Sequence, residues 1–208
     1  MTVRLSKAHA GAAGVGVALL VLTGCSQEAP GTPGAQPSAA GSTGQSLPST
    51  GNSKAPRVAN PLDASKFATD PCTSLSQARL QNFGVQGSGR PTQSEDGVGC
   101  GWTFGANGAI GAGVSYIPKV ENGLNNAYAL NDANVYSKGY FVPTEVDGYP
   151  AVYNGLVDQR AQGACEMAVG ISDKSIFVVR LTDRPGKDVC KAAANFAEAV
   201  VQTIKEGQ

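Results

Sequence analysis

The reactive side chains of this sequence are few, and their positions already restrict the chemistry. His9 is the one histidine, and it stands in an N-terminal segment with the features of a cleavable signal. The processed chain would hold no imidazole to activate a serine or cysteine nucleophile, and none to ligate a metal. Four cysteines lie deep in the chain: Cys72, Cys100, Cys165 and Cys190. An even number in an exported domain reads as a disulfide framework, and paired sulfurs supply no thiolate nucleophile. A tetrathiolate zinc site is the weaker reading, because no Cys-x-x-Cys pair occurs. Glu95-Asp96 is the tightest acidic pair, but it falls in a polar run between Pro91 and Gly97 and reads as a solvated loop. The expectation is a non-catalytic chain with no cofactor and no metal.

Gly105, Gly108, Gly111 and Gly113 superficially resemble a phosphate-cradling loop. A dinucleotide fingerprint needs a strand before the glycines and a helix after them. Here Val114-Ser115-Tyr116-Ile117 follows, a strand pattern, so the glycines are assigned to a hairpin and to close backbone approach. The tyrosines are more suggestive of binding. All six lie between Tyr116 and Tyr153, among Asn122, Asn125, Asn126, Asn131 and Asn134. Tyrosine combines an apolar face with a hydroxyl, and asparagine donates and accepts, a mixture that suits a surface for sugar, peptide or protein. The stretch 117–140 has weak periodicity, and function tends to sit on connections held by rigid elements. Tyr128, Tyr136 and Tyr140 are therefore the expected ligand or partner residues, the alternative being that the tyrosines pack on strands while the asparagines satisfy turns.

The fifth cysteine has a different setting. Arg4 and Lys7 precede a short apolar run over 11–22, and small residues lead to Cys25, the three-part order of a secretory signal. The apolar run is about half the ~20 residues that span a bilayer as a helix. Leu22-Thr23-Gly24-Cys25 matches the bacterial lipobox, in which the cysteine takes a lipid and becomes the new amino terminus. Two or more acyl chains, at roughly 0.8 kcal/mol per buried methylene, anchor stably. Residues 1–24 are thus read as a signal and Cys25 as the lipidation site, placing the chain on the outer face of the cell membrane. Arg4 and Lys7 are the only charged residues in the segment removed, so the neutral full chain becomes net −2. A mildly acidic chain without a basic run has no electrostatic footprint for nucleic acid.

Around these residues the chain divides in three. Residues 25–60 are rich in Gly, Pro, Ser, Thr, Ala and Gln. They lack the apolar surface to offset the entropy of ordering, and are expected to be a tether with an end-to-end distance of roughly 30–35 Å. Residues 61–208 read as one domain. A helix is expected over 74–83, capped by Ser74 with Gln77 three residues on and stopped by Gly84. Strands are expected over 98–104 and 109–117, joined at Asn107-Gly108, and over 140–146 and 151–157, around Asp147-Gly148. A short helix over 121–130 separates these pairs. Cys165, Met167, Val169 and Ile171 alternate with smaller or polar residues, and a second apolar strand follows over 176–181. Val189, Ala193, Phe196, Val200 and Ile204 stripe a long helix over 187–205. The fold class is α+β: an antiparallel sheet with an N-terminal and a long C-terminal helix packed on one face. Of the three possible pairings, locality favours Cys72–Cys100 and Cys165–Cys190, each closing a loop that would contribute roughly 3–4 kcal/mol.

The ordered series Asp70-Pro71-Cys72, Gly99-Cys100-Gly101-Trp102, Val146-Asp147-Gly148-Tyr149-Pro150-Ala151, Cys165 and Cys190 resembles actinobacterial lipoproteins classed only as a domain of unknown function. More distantly it resembles the four-cysteine extracellular sensor domains of actinobacterial kinases. The resemblance implies an anchored extracytoplasmic domain in a Gram-positive envelope that senses a ligand or partner, and supplies no catalytic residues; with the tyrosine and asparagine chemistry, the expected partner is an envelope protein, peptide or glycan. The alternatives are a structural envelope-assembly factor without a small-molecule site and a carboxylate-based enzyme.

Overall fold

In the computed structural model the described residues are 54–207, all within one compact unit. The expected signal, Cys25 and the expected tether as far as residue 53 lie outside them. Seven antiparallel strands form one sheet: β1 (Arg90–Gln93), β2 (Val98–Phe104), β3 (Ile110–Tyr116), β4 (Tyr140–Val146), β5 (Tyr149–Gly155), β6 (Ala164–Ser172) and β7 (Ser175–Thr182). Their spatial order is β1-β2-β3-β7-β6-β5-β4. Four of the connections are tight turns, and two of them hold positive-φ pairs, Asn107 and Gly108 (59° and 67°) and Asp147 and Gly148 (49° and 85°). The long connection is the one that brings β3 beside β7, with Tyr116 facing Phe177.

Period-two alternation divides the sheet residues between two faces. One face carries Cys100, Trp102, Val114, Met167, Val169, Phe177 and Val179, and α4 (Val189–Glu206) lies across it. Asp188 caps α4, its carboxylate accepting the Lys191 N–H at 3.0 Å. Phe196, at the centre of the α4 stripe, packs its ring against Phe83 and Trp102 with centroids 5.3 and 5.7 Å away. The N-terminal elements α1 (Ser65–Thr69) and α2 (Gln77–Asn82) join the same core through Phe67, Leu75 and Leu80. The two disulfides are Cys72–Cys100 and Cys165–Cys190, the pairings expected from locality. The first ties a short 3-10 turn (Pro71–Thr73) to β2, and the second ties β6 to α4.

Three details depart from the sequence reading. Ser76, not Ser74, caps the first helix, accepting the Arg79 N–H at 3.3 Å. Ser74 is fully buried, its hydroxyl 2.8 Å from that of Tyr116, whose pKa burial pushes up. The folded body also begins before Pro61. Asn125 Oδ1 accepts the Ala55 N–H, Asp173 Oδ1 accepts the Val58 N–H, and the Asn60 carbonyl accepts from the Tyr149 hydroxyl. Side-chain acceptors on the domain thus satisfy backbone donors that composition alone would leave to water. Finally, α3 (Asn125–Asp132) packs on the second face of the sheet. Leu124 and Ala127 meet Val152, Ala168 and Ile176 there in a smaller apolar cluster. No helix among the described residues is long and apolar enough to cross a membrane.

Candidate functional site

α3 covers the β4–β6 end of the second face and the start of β7, and the rest stays open. Register places a lateral row across it: Arg90 faces Gly101, Gly101 faces Gly113, Gly113 faces Arg180, and Arg180 faces Glu166. A flanking row runs Thr103, Gly111 and Thr182, and on the other side lie Thr92, Gly99 and Ser115. The result is a trough of about 560 Å³ with a glycine floor, walled by Arg90, Thr92, Thr103, Arg180 and Thr182. At its outer edge the Trp102 indole N–H is buried beneath Gly89 and has no hydrogen-bond partner. A side chain at position 89 would collide with it and with Cys100 Sγ, so that glycine serves packing.

Arg180 also borders a second, smaller cavity of about 270 Å³. It forms because β5 and β6 pair only at Ala151–Tyr153 and then part, although β5 runs on to Gly155. Tyr140 of β4 plugs the gap. Its hydroxyl accepts the Glu166 N–H at 2.9 Å and lies 3.8 Å from Cys165 Sγ. Gly155 is obligatory opposite it, since a Cβ there would stand 2.7 Å from the Tyr140 ring. Arg160 lies over that ring at 4.3 Å and is itself held by two hydrogen bonds to Asp158, which keep the Asp158 carboxyl down at about 2. Leu156 and Val157, each 62% exposed, form the outer lip. Desolvation pushes the Glu166 carboxyl above the usual range, and the Arg180 guanidinium 3.6 Å away partly offsets this. The site therefore offers guanidinium groups, hydroxyls, the Gln159 amide and a short apolar lip, the means of holding a ligand by hydrogen bonds and charge. Among the described residues no group of three or more His, Cys, Asp or Glu is placed to hold a metal ion.

The expected tyrosine surface is corrected in part. Tyr136 and Tyr140 are only 8% and 7% exposed, and Tyr128 is half-buried. Tyr128 and Tyr136 enclose Phe141, edge-on at 5.0 Å and stacked at 5.6 Å, and Asn154 Nδ2 donates to the Tyr136 hydroxyl. Tyr140, one residue before Phe141, points to the opposite face by strand alternation. The three rings thus belong to two places, and Tyr140 borders the smaller cavity. We expect Tyr136→Ala to cost about 2–4 kcal/mol in urea unfolding, as a lost core aromatic does. A cost under about 0.5 kcal/mol would instead return Tyr136 to the surface.

Sequence reading passed over Arg90, Glu166 and Arg180, and met Gly101 only within a motif and Gly113 only as a hairpin glycine. The signal that could have found them is the repeat Gly99-x-Gly101 and Gly111-x-Gly113 in two successive strands. At period two, such spacing stripes one face of a hairpin with hydrogen atoms. Residues 20–203 match the family described as "Protein of unknown function (DUF3558)". No curated protein and no solved structure matches the chain.

Proposed function

The chain belongs to the DUF3558 family, and from that premise we propose that it is a non-catalytic binding lipoprotein of the cell envelope. In this reading lipid on Cys25 holds the protein at the outer face of the membrane, and the open face of the sheet receives an envelope partner. The observation that carries it is the trough between Arg90 and Arg180 on the part of the sheet face that α3 leaves uncovered. Two disulfides fit an oxidising compartment, and Leu22-Thr23-Gly24-Cys25 supports the anchor.

Anchoring is tested by Cys25→Ala, which is expected to abolish incorporation of labelled fatty acid and to leave the signal attached. Fatty acid still appearing on the variant would sink the assignment. Binding is tested in cells with a photo-crosslinking residue at exposed Thr103 on the open face, and at exposed Lys191 on α4 as control. Adducts are expected from position 103 and not from 191. Equal yields, or none from 103, would remove the open face from consideration.

A further inference from the structure

Two of the floor glycines are not needed by the fold. A Cβ on Gly101 would come no closer than 3.9 Å to any neighbour, and one on Gly113 no closer than 3.6 Å, both ordinary contact distances. Neither residue has a positive φ. Gly99 differs, since a Cβ there would meet the Val114 carbonyl at 2.4 Å. Glycine inside a strand weakens it, through chain entropy and missing packing, and otherwise marks close approach by a ligand or another backbone. Gly101 and Gly113 face each other on adjacent strands, with Arg90 on one side and Arg180 on the other. The bare patch therefore lies between two cations whose Cα atoms are three strand spacings apart, about 14 Å. Arg90 is exposed and has no carboxylate partner among the described residues, while Arg180 has Glu166 as its one carboxylate at 3.6 Å and donates to Gln159 Oε1 at 3.4 Å. Glu166 is the one acid in these rows, so the trough carries a local excess of positive charge.

We propose that this trough binds an acidic polysaccharide, lying flat on the Gly101–Gly113 floor with carboxylates or equivalent anions on Arg90 and Arg180. The proposal rests on the binding-face reading above and names its ligand class. A sugar ring is flat and edged with hydroxyls, which matches a smooth floor bordered by the hydroxyls of Thr92, Thr103, Ser115 and Thr182. An extended peptide is the poorer match. Peptides gain affinity by adding main-chain hydrogen bonds at a sheet edge and filling side-chain pockets, whereas a sheet face has its backbone groups already engaged in-plane. The two-arginine span exceeds one sugar unit, so the ligand is a polymer rather than a monosaccharide.

The test uses the full chain in detergent with three probes: polygalacturonate oligomers, the same oligomers reduced to neutral galactan, and hexaglutamate peptide. Polygalacturonate is expected to bind, more weakly as salt rises. Arg90→Gln and Arg180→Gln should each weaken it about tenfold, the loss of one charge-assisted hydrogen-bonded contact. Gly113→Val should remove binding while leaving Tm unchanged or raised, with Gly113→Ala intermediate in binding. A domain that loses affinity as it gains stability is the outcome a merely structural glycine would not produce. Equal binding of neutral galactan would overturn the anionic assignment and leave the binding face standing. Preference for hexaglutamate would overturn the glycan in favour of an acidic protein. Polygalacturonate binding untouched by Gly113→Val would place the site elsewhere. Failure of all three probes would overturn the ligand class, and the Thr103 crosslink would then judge the binding face by itself.

Discussion

Phe196→Ala is expected to cost about 3–5 kcal/mol of unfolding free energy, the range for removing a fully buried aromatic. Phe196 is 0% exposed and lies where three separate parts of the chain meet: Phe83 after α2, Trp102 of β2, and its own helix α4. Little can collapse into the space, because Trp102 is braced by Cys100 and Gly89 and α4 is held to β6 by a disulfide. For a domain of this size the loss corresponds to a fall in Tm of roughly 10–15 °C. Urea unfolding of the oxidised protein measures it, and Glu198→Ala, on the exposed side of the same helix, should stay within about 0.5 kcal/mol. A Phe196 cost below about 1 kcal/mol would mean that α4 does not organise this core.

Removing the disulfides is the second large effect. Cys72–Cys100 closes a sequence separation of 28 and Cys165–Cys190 one of 25, so each is worth about 3.5 kcal/mol by the chain-entropy relation. Losing both would take about 7 kcal/mol from a domain whose whole stability falls within roughly 5–15 kcal/mol. Replacing either pair with serine should leave a folded but weakened protein. Replacing both should leave it largely unfolded at 37 °C, as read by near-ultraviolet circular dichroism. The Cys165–Cys190 variant should also loosen the gap between β5 and β6, because Tyr140 reaches across to Cys165 and Glu166 there. That change would appear as faster hydrogen exchange at the Glu166 amide, with exchange in β2 and β3 unaltered. A doubly substituted protein with an unchanged Tm would contradict both the entropy argument and the role of the bridges as fasteners.

Local chemistry explains which parts of this molecule were legible beforehand. The α4 stripe, the β6 alternation and the positive-φ pairs Asn107-Gly108 and Asp147-Gly148 are each encoded within a few residues, and each stands in the structure at or within a residue or two of its expected place. Strand β1 was not legible: Arg90-Pro91-Thr92-Gln93 is exposed throughout and has no apolar alternation to read. It is a strand only because β2 offers it an edge. Ser74 likewise carries the chemistry of a helix cap, but Tyr116, 42 residues away, claims its hydroxyl.

The sequence by itself determined the α+β class, the C-terminal helix, the hairpins and the cysteine pairing, because these depend on periodicity, turn residues and short loops. Tertiary structure alone decided which side chains are exposed. Tyr136 and Tyr140 read as surface residues until Asn154 of β5 and Glu166 of β6 reach their hydroxyls and Phe141 stacks on Tyr136. The candidate site arises in the same way. Arg90 and Arg180 are 90 residues apart in the chain, and they share a row only because β3 pairs with β7 rather than with β4. That pairing is chosen by how two apolar faces pack under one helix, a free energy of the assembled core that no local stretch of residues contains.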